Sequence, residues 1–289
     1  MPNPTAQPNL VDLGRRLASE GPFRTLPTPR RVRIVFGGAW VADTTAALHV
    51  WEHPWYPWFY VPRADFAPGC LHSRHQDESS DEGFEVVELR AGGRSTDRVL
   101  AFGSRVGETG PERKEGEGEG EGGEGRKALR DMVRVEFDAA DAWFEEDTPV
   151  AVHPRDPFRR IDVLHSTRPV RVLVGNKVKA EVARAAASFH LYETGLPCRF
   201  YLPATSVDRT VLRKSATRTM CPYKGEAEYY DIVLRGDDGE EEVYKDLVWY
   251  YSTPAPECAL MAGCLCFYNE KVDIELDGKL LERPKTLFS

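Results

Sequence analysis

The chain has 289 residues, of which 41% are hydrophobic and 29% charged, enough for two domains with cores of their own, and it excludes global disorder. Lys and Arg total 38 against 46 Asp and Glu, for a formal net charge of -8; such a chain repels a phosphate backbone, so nucleic acid is not an expected partner. No apolar run has the length of a signal core or a membrane span, so no membrane partner is expected and the default address is cytoplasmic.

Residues 1–30 carry Pro, Asn, Arg and Thr and read as an N-terminal extension, within which Asn9 caps a short helix over Leu10 to Leu17. From residue 31 onward, short β-branched and aromatic runs bounded by turn dipeptides predict a mostly β fold with few, short helices. Val32 to Phe36 ends on Gly37-Gly38 and leads to Leu48 to Glu52, then to Phe59 to Pro62. Between Trp51 and Tyr60 six of ten residues are aromatic, broken by Pro54 and Pro57. Such density lines a pocket for a flat ligand or seals an interface between domains, and the interface is the expectation here. After the Gly92-Gly93 turn, Gly107 to Lys127 holds seven Glu and four basic residues without apolar side chains, which predicts a disordered loop. Its Gly118 to Gly123 matches GxGxxG in form only, since it neither follows a strand nor opens a helix.

The same order of runs then returns. Val170 to Val174 ends on Gly175-Asn176 and leads to Phe189 to Glu193, then Phe200 to Pro203. His49 and His190, Glu52 and Glu193, Tyr60 and Tyr201, and Pro62 and Pro203 are related by one constant offset. The chain therefore reads as a tandem repeat of two related β-rich domains, 31–160 and 161–289, with the boundary near 155–168. In the second, Tyr229 to Leu234 and Val243 to Tyr251 read as a hairpin over an Asp238-Gly239 turn. Pro254 to Ala262 reads as a short helix stopped by Gly263, and Cys264 to Tyr268 and Val272 to Leu276 as strands. Six cysteines without a CxxC pair read as thiols, mostly buried.

The second copy carries Cys221-Pro222-Tyr223-Lys224-Gly225, then Glu228-Tyr229-Tyr230, Asp246 to Tyr251, Thr253 to Glu257, Phe267-Tyr268-Asn269 and Val272-Asp273. In this order the motifs resemble the DUF427 family, also labelled nucleotidyltransferase-like, and the tandem arrangement is similar to its fungal two-domain form. The resemblance implies compact β domains similar to folds described as β-tents, and no assigned reaction. The first copy has no Cys-Pro-Tyr-Lys-Gly between Phe66 and Glu85, so it reads as degenerate.

Candidate chemistry gathers in the second copy. Lys224, set between Tyr223 and Gly225, can act as a base or a cationic stabiliser, and its ammonium can lower the pKa of the Cys221 thiol, unless Cys221 is a buried thiol shaping a turn. Glu193, at a strand end, can pair with Lys224 or Arg199 as an acid/base partner or as a plain salt bridge. Arg199, Tyr201, Tyr229, Trp249 and His190 are binding candidates, although alternation along the strand puts His190 and Glu193 on opposite faces and favours a structural role for the histidine. Asp273, Glu275 and Asp277 alternate along one strand; they are metal ligands if they face a cleft and an exposed strand face otherwise. The expectation is a small-molecule enzyme working by cofactor-independent acid/base chemistry, of isomerase, cyclase or lyase type, with no resident metal. A ligand-binding or interaction module and a metal-dependent nucleotidyltransferase are the alternatives. The sequence leaves the oligomeric state open.

Overall fold

The computed structural model describes residues 9–73, 82–106, 121–175, 179–236 and 239–286, without the side chains of 121–123. It divides into two compact units, Met1–Asp156 and Pro157–Ser289. Residues 107–120 of the acidic stretch, with the start of its GxGxxG match, lie outside the described residues, as do Asn176 and Asp238 of two expected turns.

Unit 1 contains β1 (Arg24–Pro27), β2 (Val32–Phe36), β3 (Ala39–Thr44), β4 (Leu48–Trp51), β5 (Trp58–Pro62), β6 (Leu71–Ser73), β7 (Phe84–Ala91), β8 (Arg94–Phe102), β9 (Met132–Val135), β10 (Ala142–Glu145) and β11 (Thr148–Val150). They form a seven-stranded sheet in the order β1-β4-β5-β9-β8-β7-β6 and a four-stranded sheet in the order β11-β10-β2-β3. Unit 2 contains β12 (Ile161–Ser166), β13 (Val170–Val174), β14 (Ala180–Ala185), β15 (Ser188–Glu193), β16 (Arg199–Leu202), β17 (Leu212–Cys221), β18 (Gly225–Arg235), β19 (Glu241–Tyr250), β20 (Leu265–Phe267), β21 (Asp273–Leu276) and β22 (Lys279–Leu280). Its sheets run β12-β15-β16-β20-β19-β18-β17 and β14-β13-β21-β22, the order of unit 1 strand for strand. The protein is mostly β, in two β-rich units.

Alternation along the strands sets what each sheet buries. β2 and β13 read Val-Arg-Ile-Val-Phe and Val-Arg-Val-Leu-Val, and in both the first, third and fifth side chains are buried. In unit 1 these meet Phe59, Val61, Val87, Val99, Ala101 and Val133 of the larger sheet. In unit 2 they meet Phe200, Leu202, Ile232, Val248 and Phe267. Each such side chain contributes about 1.5–3 kcal/mol by leaving water, so the sandwiched faces dominate the stability of each unit. Two turns of unit 1 touch backbone to backbone: a Cβ on Gly37 would stand 2.1 Å from the Ala91 carbonyl oxygen, and both Gly37 and Gly92 have positive φ. Only glycine meets both demands there.

The outer faces of the two larger sheets differ, and that difference positions the candidate site. In unit 1 the outer face is closed by α1 (Leu10–Ser19), capped by the Asn9 side chain, which accepts from the Val11 and Asp12 amides. Leu10, Leu13, Leu17 and Ala18 bury against Val50, Tyr60, Phe84, Leu100 and Phe102. The stretch 1–30 is therefore no mere extension: α1 covers the sheet and β1 extends it, pairing with β4. A second correction concerns 121–127, where the structure has α2 (Glu121–Ala128) rather than disorder. The three glycines of Glu121–Ala128 disfavour a helix there, but tertiary anchors override them. Leu129 is fully buried just beyond the helix, and Arg126 donates to the Ser19 carbonyl. In unit 2 the corresponding face is covered by a 3-10 helix, Pro256–Met261, shorter and tighter than the expected helix and followed by Gly263 at positive φ. Among the described residues no helix is long and apolar enough to cross a membrane.

Candidate functional site

Glu193 ends β15 on the outer face of the larger sheet of unit 2, and Lys224 sits in the turn joining β17 to β18. The turn is tight because Gly225 has a φ of 100° and the Ala255 amide donates to the Lys224 carbonyl, tying the turn to the segment before the 3-10 helix. The Lys224 ammonium donates to Glu193 Oε2, while Arg159 Nη1 donates to Glu193 Oε1 at 3.0 Å. Only 4% of the Glu193 side chain and 11% of the Lys224 side chain are exposed. One carboxylate thus balances two cations in a largely water-excluded spot, where charge–charge terms are stronger than in water. Arg159 also stands 5.6 Å over the Tyr223 ring.

Around this triad lie the phenols and thiols of the outer face. Tyr201, Tyr229, Trp249, Tyr251, Cys258, Cys264 and Cys266 form one buried cluster. Trp249 Nε1 donates to the Tyr201 hydroxyl at 3.1 Å, and the Tyr229 hydroxyl shares a 2.7 Å hydrogen bond with that of Thr219. Burial, then the neighbouring Cys221 and Tyr229, push the Tyr251 phenol far up. Burial pushes the Cys258 thiol up to about 11, against the pull of the Lys224 ammonium. Lys224 thus acts on the thiol of Cys258, whose Sγ also lies 4.0 Å from the Tyr223 carbonyl oxygen, while Cys221 is half-buried. Among the described residues all six cysteines are free thiols, four of them buried.

The remaining candidates go elsewhere. Arg199 does not reach Glu193; its guanidinium grips Glu270 through Nη1 at 2.7 Å and Nη2 at 2.6 Å, both partners buried, and Thr286 adds a third hydrogen bond to the carboxylate. The fork fits the carboxylate in a way Lys could not, which makes it a structural clamp beneath Trp249, whose ring lies 5.6 Å away. His190 is a correction as a binding residue: it points to the inter-sheet side, edge-on to Phe200 at 4.9 Å, and burial lowers its pKa. Asp273 pairs with Lys179 and Arg283, Glu275 with Arg171, and Asp277 with Arg168. These carboxylates belong to the smaller sheet and its turn, and among the described residues no group of three or more His, Cys, Asp or Glu side chains is arranged to hold a metal. A surface depression of about 570 Å³ lies on that smaller sheet as well, lined by Arg171, Arg184 and Glu275 among others, and not at Lys224. In unit 1, Phe59 and Tyr60 of the expected interface segment are buried within the unit, and Tyr56 stacks on His153 at 4.0 Å.

Arg159, Glu270 and Cys258 were not singled out by the sequence. Arg159 precedes β12 in a stretch without a pattern, and Glu270 follows Asn269 in a turn. The register of β12 on β15 brings Arg159 to Glu193, that of β16 on β20 brings Glu270 to Arg199, and the 3-10 helix buries Cys258.

Register also aligns the two units. Tyr229 pairs with Trp249 and Trp249 with Cys266, as Val86 pairs with Leu100 and Leu100 with Arg134. Where unit 2 offers a phenol and an indole, unit 1 therefore has valine and leucine under a helix. Two such units, each a seven-stranded and a four-stranded antiparallel sheet, define a two-domain β-rich protein. A family model described as a domain of unknown function, DUF427, matches residues 24–84 and 162–278, and the chain belongs to that family. No curated protein matches the chain.

Proposed function

We propose that unit 2 is an enzyme domain that binds a small organic molecule at the Lys224 end of its larger sheet and acts on it by proton transfer, without a cofactor, in an isomerase, cyclase or lyase type of step. The observation that carries this reading is the contrast between the two outer faces. Val86 and Leu100, packed under α1 in unit 1, are replaced in register in unit 2 by Tyr229 and Trp249 beside a buried lysine. Both Glu193 oxygens are engaged by cations, so Glu193 holds the ammonium in place, and Lys224, with protons left to donate, stabilises an oxyanion developing on the substrate. Tyr223, Tyr229 and Cys221 flank it as hydroxyl and thiol groups. We read the units as copies of one ancestral domain, of which the second carries this site.

The test is a thermal-shift screen of the protein against small metabolites, followed by turnover assays on the compounds that stabilise it. Lys224→Met and Glu193→Gln are expected to abolish turnover; full activity in both variants would exclude the proposed chemistry. A second reading, a binding module without turnover, is favoured by the fact that Lys224, Glu193, Arg199 and Glu270 are already paired with one another inside the unit. It predicts that bound ligand is recovered unchanged. Nucleotidyl transfer has the least support, because its carboxylates are ion-paired on the other sheet; calorimetry with nucleotide and Mg²⁺ decides it.

A further inference from the structure

Unit 1 contains a polar group that its own packing leaves incomplete. Arg134 lies fully buried on β9, at the centre of the larger sheet, and pairs with Glu52 through Nε at 2.5 Å and Nη2 at 3.3 Å. Tyr60 donates to the same carboxylate at 2.9 Å. The guanidinium carbon stands 4.5 Å over the Trp58 ring. Two donors in this one spot, Arg134 Nη1 and Trp58 Nε1, are buried and have no hydrogen-bond acceptor among the described residues. A buried donor without an acceptor costs about 1–3 kcal/mol, and more when charged, and two from neighbouring side chains ask for the same thing, an oxygen with lone pairs.

The wall over this spot is aromatic. Tyr56 lies 6.2 Å from Trp58 between ring centroids, and it is held between His53, edge-on at 4.3 Å, and His153, stacked at 4.0 Å. Trp55 is 54% exposed at the outer rim, 5.1 Å from His53. None of this has a counterpart in unit 2, where Trp58 is replaced in register by Arg199 and Arg134 by Cys266, and where residues 194–197 following Glu193 contain no aromatic ring.

From this geometry we propose that unit 1 holds a second ligand site, for a flat aromatic carboxylate, whose carboxylate accepts from Arg134 Nη1 and Trp58 Nε1 and whose ring lies against Tyr56 and the two imidazoles. Entry requires Tyr56 and Trp55 to swing aside, which their position at the rim permits. Glu52 already neutralises one charge of the pair, so recognition rests on directed hydrogen bonds more than on net charge. The site is independent of the chemistry proposed at Lys224.

Benzoate is the probe, with benzyl alcohol as its uncharged analogue, and binding to the whole protein is followed by calorimetry. Nitrogen-15 spectra report the Trp58 indole N–H, assigned as the signal absent from Trp58→Phe. Benzoate is expected to bind at least tenfold more tightly than benzyl alcohol, to shift the Trp58 indole signal downfield, and to bind at least tenfold more weakly to Trp58→Phe, which keeps the ring and loses one donor. Should Trp58→Phe fail to fold, Tyr56→Leu, altered at the rim, carries the same comparison and is expected to weaken benzoate by a similar factor. The proposal is overturned if benzoate does not bind at millimolar concentration, if it binds without moving the Trp58 signal, or if folded variants bind it as the parent does. Loss of benzoate binding in Lys224→Met with retention in Trp58→Phe places the ligand in unit 2 and also overturns it, while leaving the reading of unit 2 intact.

Discussion

Removing Glu193 is expected to destabilise unit 2 much more than removing Lys224, although the two form one ion pair. The carboxylate is a counter-charge shared by Lys224 and Arg159, whose side chains are only 11% and 22% exposed. In Glu193→Ala both cations stay behind without it, and breaking a buried pair from that side costs about 3–5 kcal/mol. In Lys224→Met the glutamate keeps Arg159 at 3.0 Å, so only the net worth of one charged hydrogen bond is lost, offset in part by burying the thioether, roughly 1–2 kcal/mol. Trp249 is the only tryptophan after residue 156, so protein labelled with 5-fluorotryptophan has one fluorine signal that reports unit 2 alone. Urea titration of that signal gives the two losses directly. Equal losses would refute the account, because they would mean that Arg159 does not share the carboxylate.

Three further outcomes follow from the packing. His49 and His190 are each 2% exposed, and burial lowers both pKa values from 6.5; the unfolded chain therefore takes up protons that the folded one refuses. Stability is complete above about pH 6.5 and falls on acidification below it, and a melting temperature of His49→Phe/His190→Phe that is as steeply pH-dependent as the parent's would contradict this. Gly14→Ala gains about 0.8–1 kcal/mol in helix propensity, but the new Cβ would stand 2.4 Å from Phe84 Cδ2 and 3.0 Å from Leu100 Cδ1. Overpacking of that kind costs roughly 1–3 kcal/mol, so the denaturation midpoint of unit 1 is expected to drop, and a rise would show that α1 is not seated on Phe84. Arg199→Lys exchanges a two-pronged grip on Glu270 for a single contact and is expected to cost about 1.5–3 kcal/mol, measured by thermal melting; an unchanged melting temperature would mean that the clamp is not structural.

The two β-rich units and most strands were legible because they depend on local pattern. The alternation in Val32 to Phe36 and Val170 to Val174 and the constant offset of paired residues need no knowledge of tertiary contacts. The pairing of Lys224 with Glu193 was among the alternatives the sequence offered, since both stand at turns bounding strands on the same outer face. Arg199 misled because its partner is chosen by register across β16 and β20, not by charge alone. The helix at 121–128 was hidden for the converse reason: its glycines disfavour it, and the burial of Leu129 and the Ser19 carbonyl, distant in sequence, hold it in place. Trp58 stood out only as one of six aromatic residues in its segment and Arg134 not at all, and only the buried face they share reveals two donors left without an acceptor among the described residues.

Strand β20 lies between β16 and β19 at the middle of its sheet, yet it is synthesised long after β16. Until Leu265–Phe267 emerges from the ribosome, the β15-β16 pair and the β17-β18-β19 meander each present an open edge with unpaired amides and carbonyls. Such edges invite pairing with other chains. Unit 2 therefore passes through a window during translation in which two half-sheets wait for one three-residue strand, and slowing synthesis between 250 and 265 would lengthen its exposure to aggregation while leaving the finished fold unchanged.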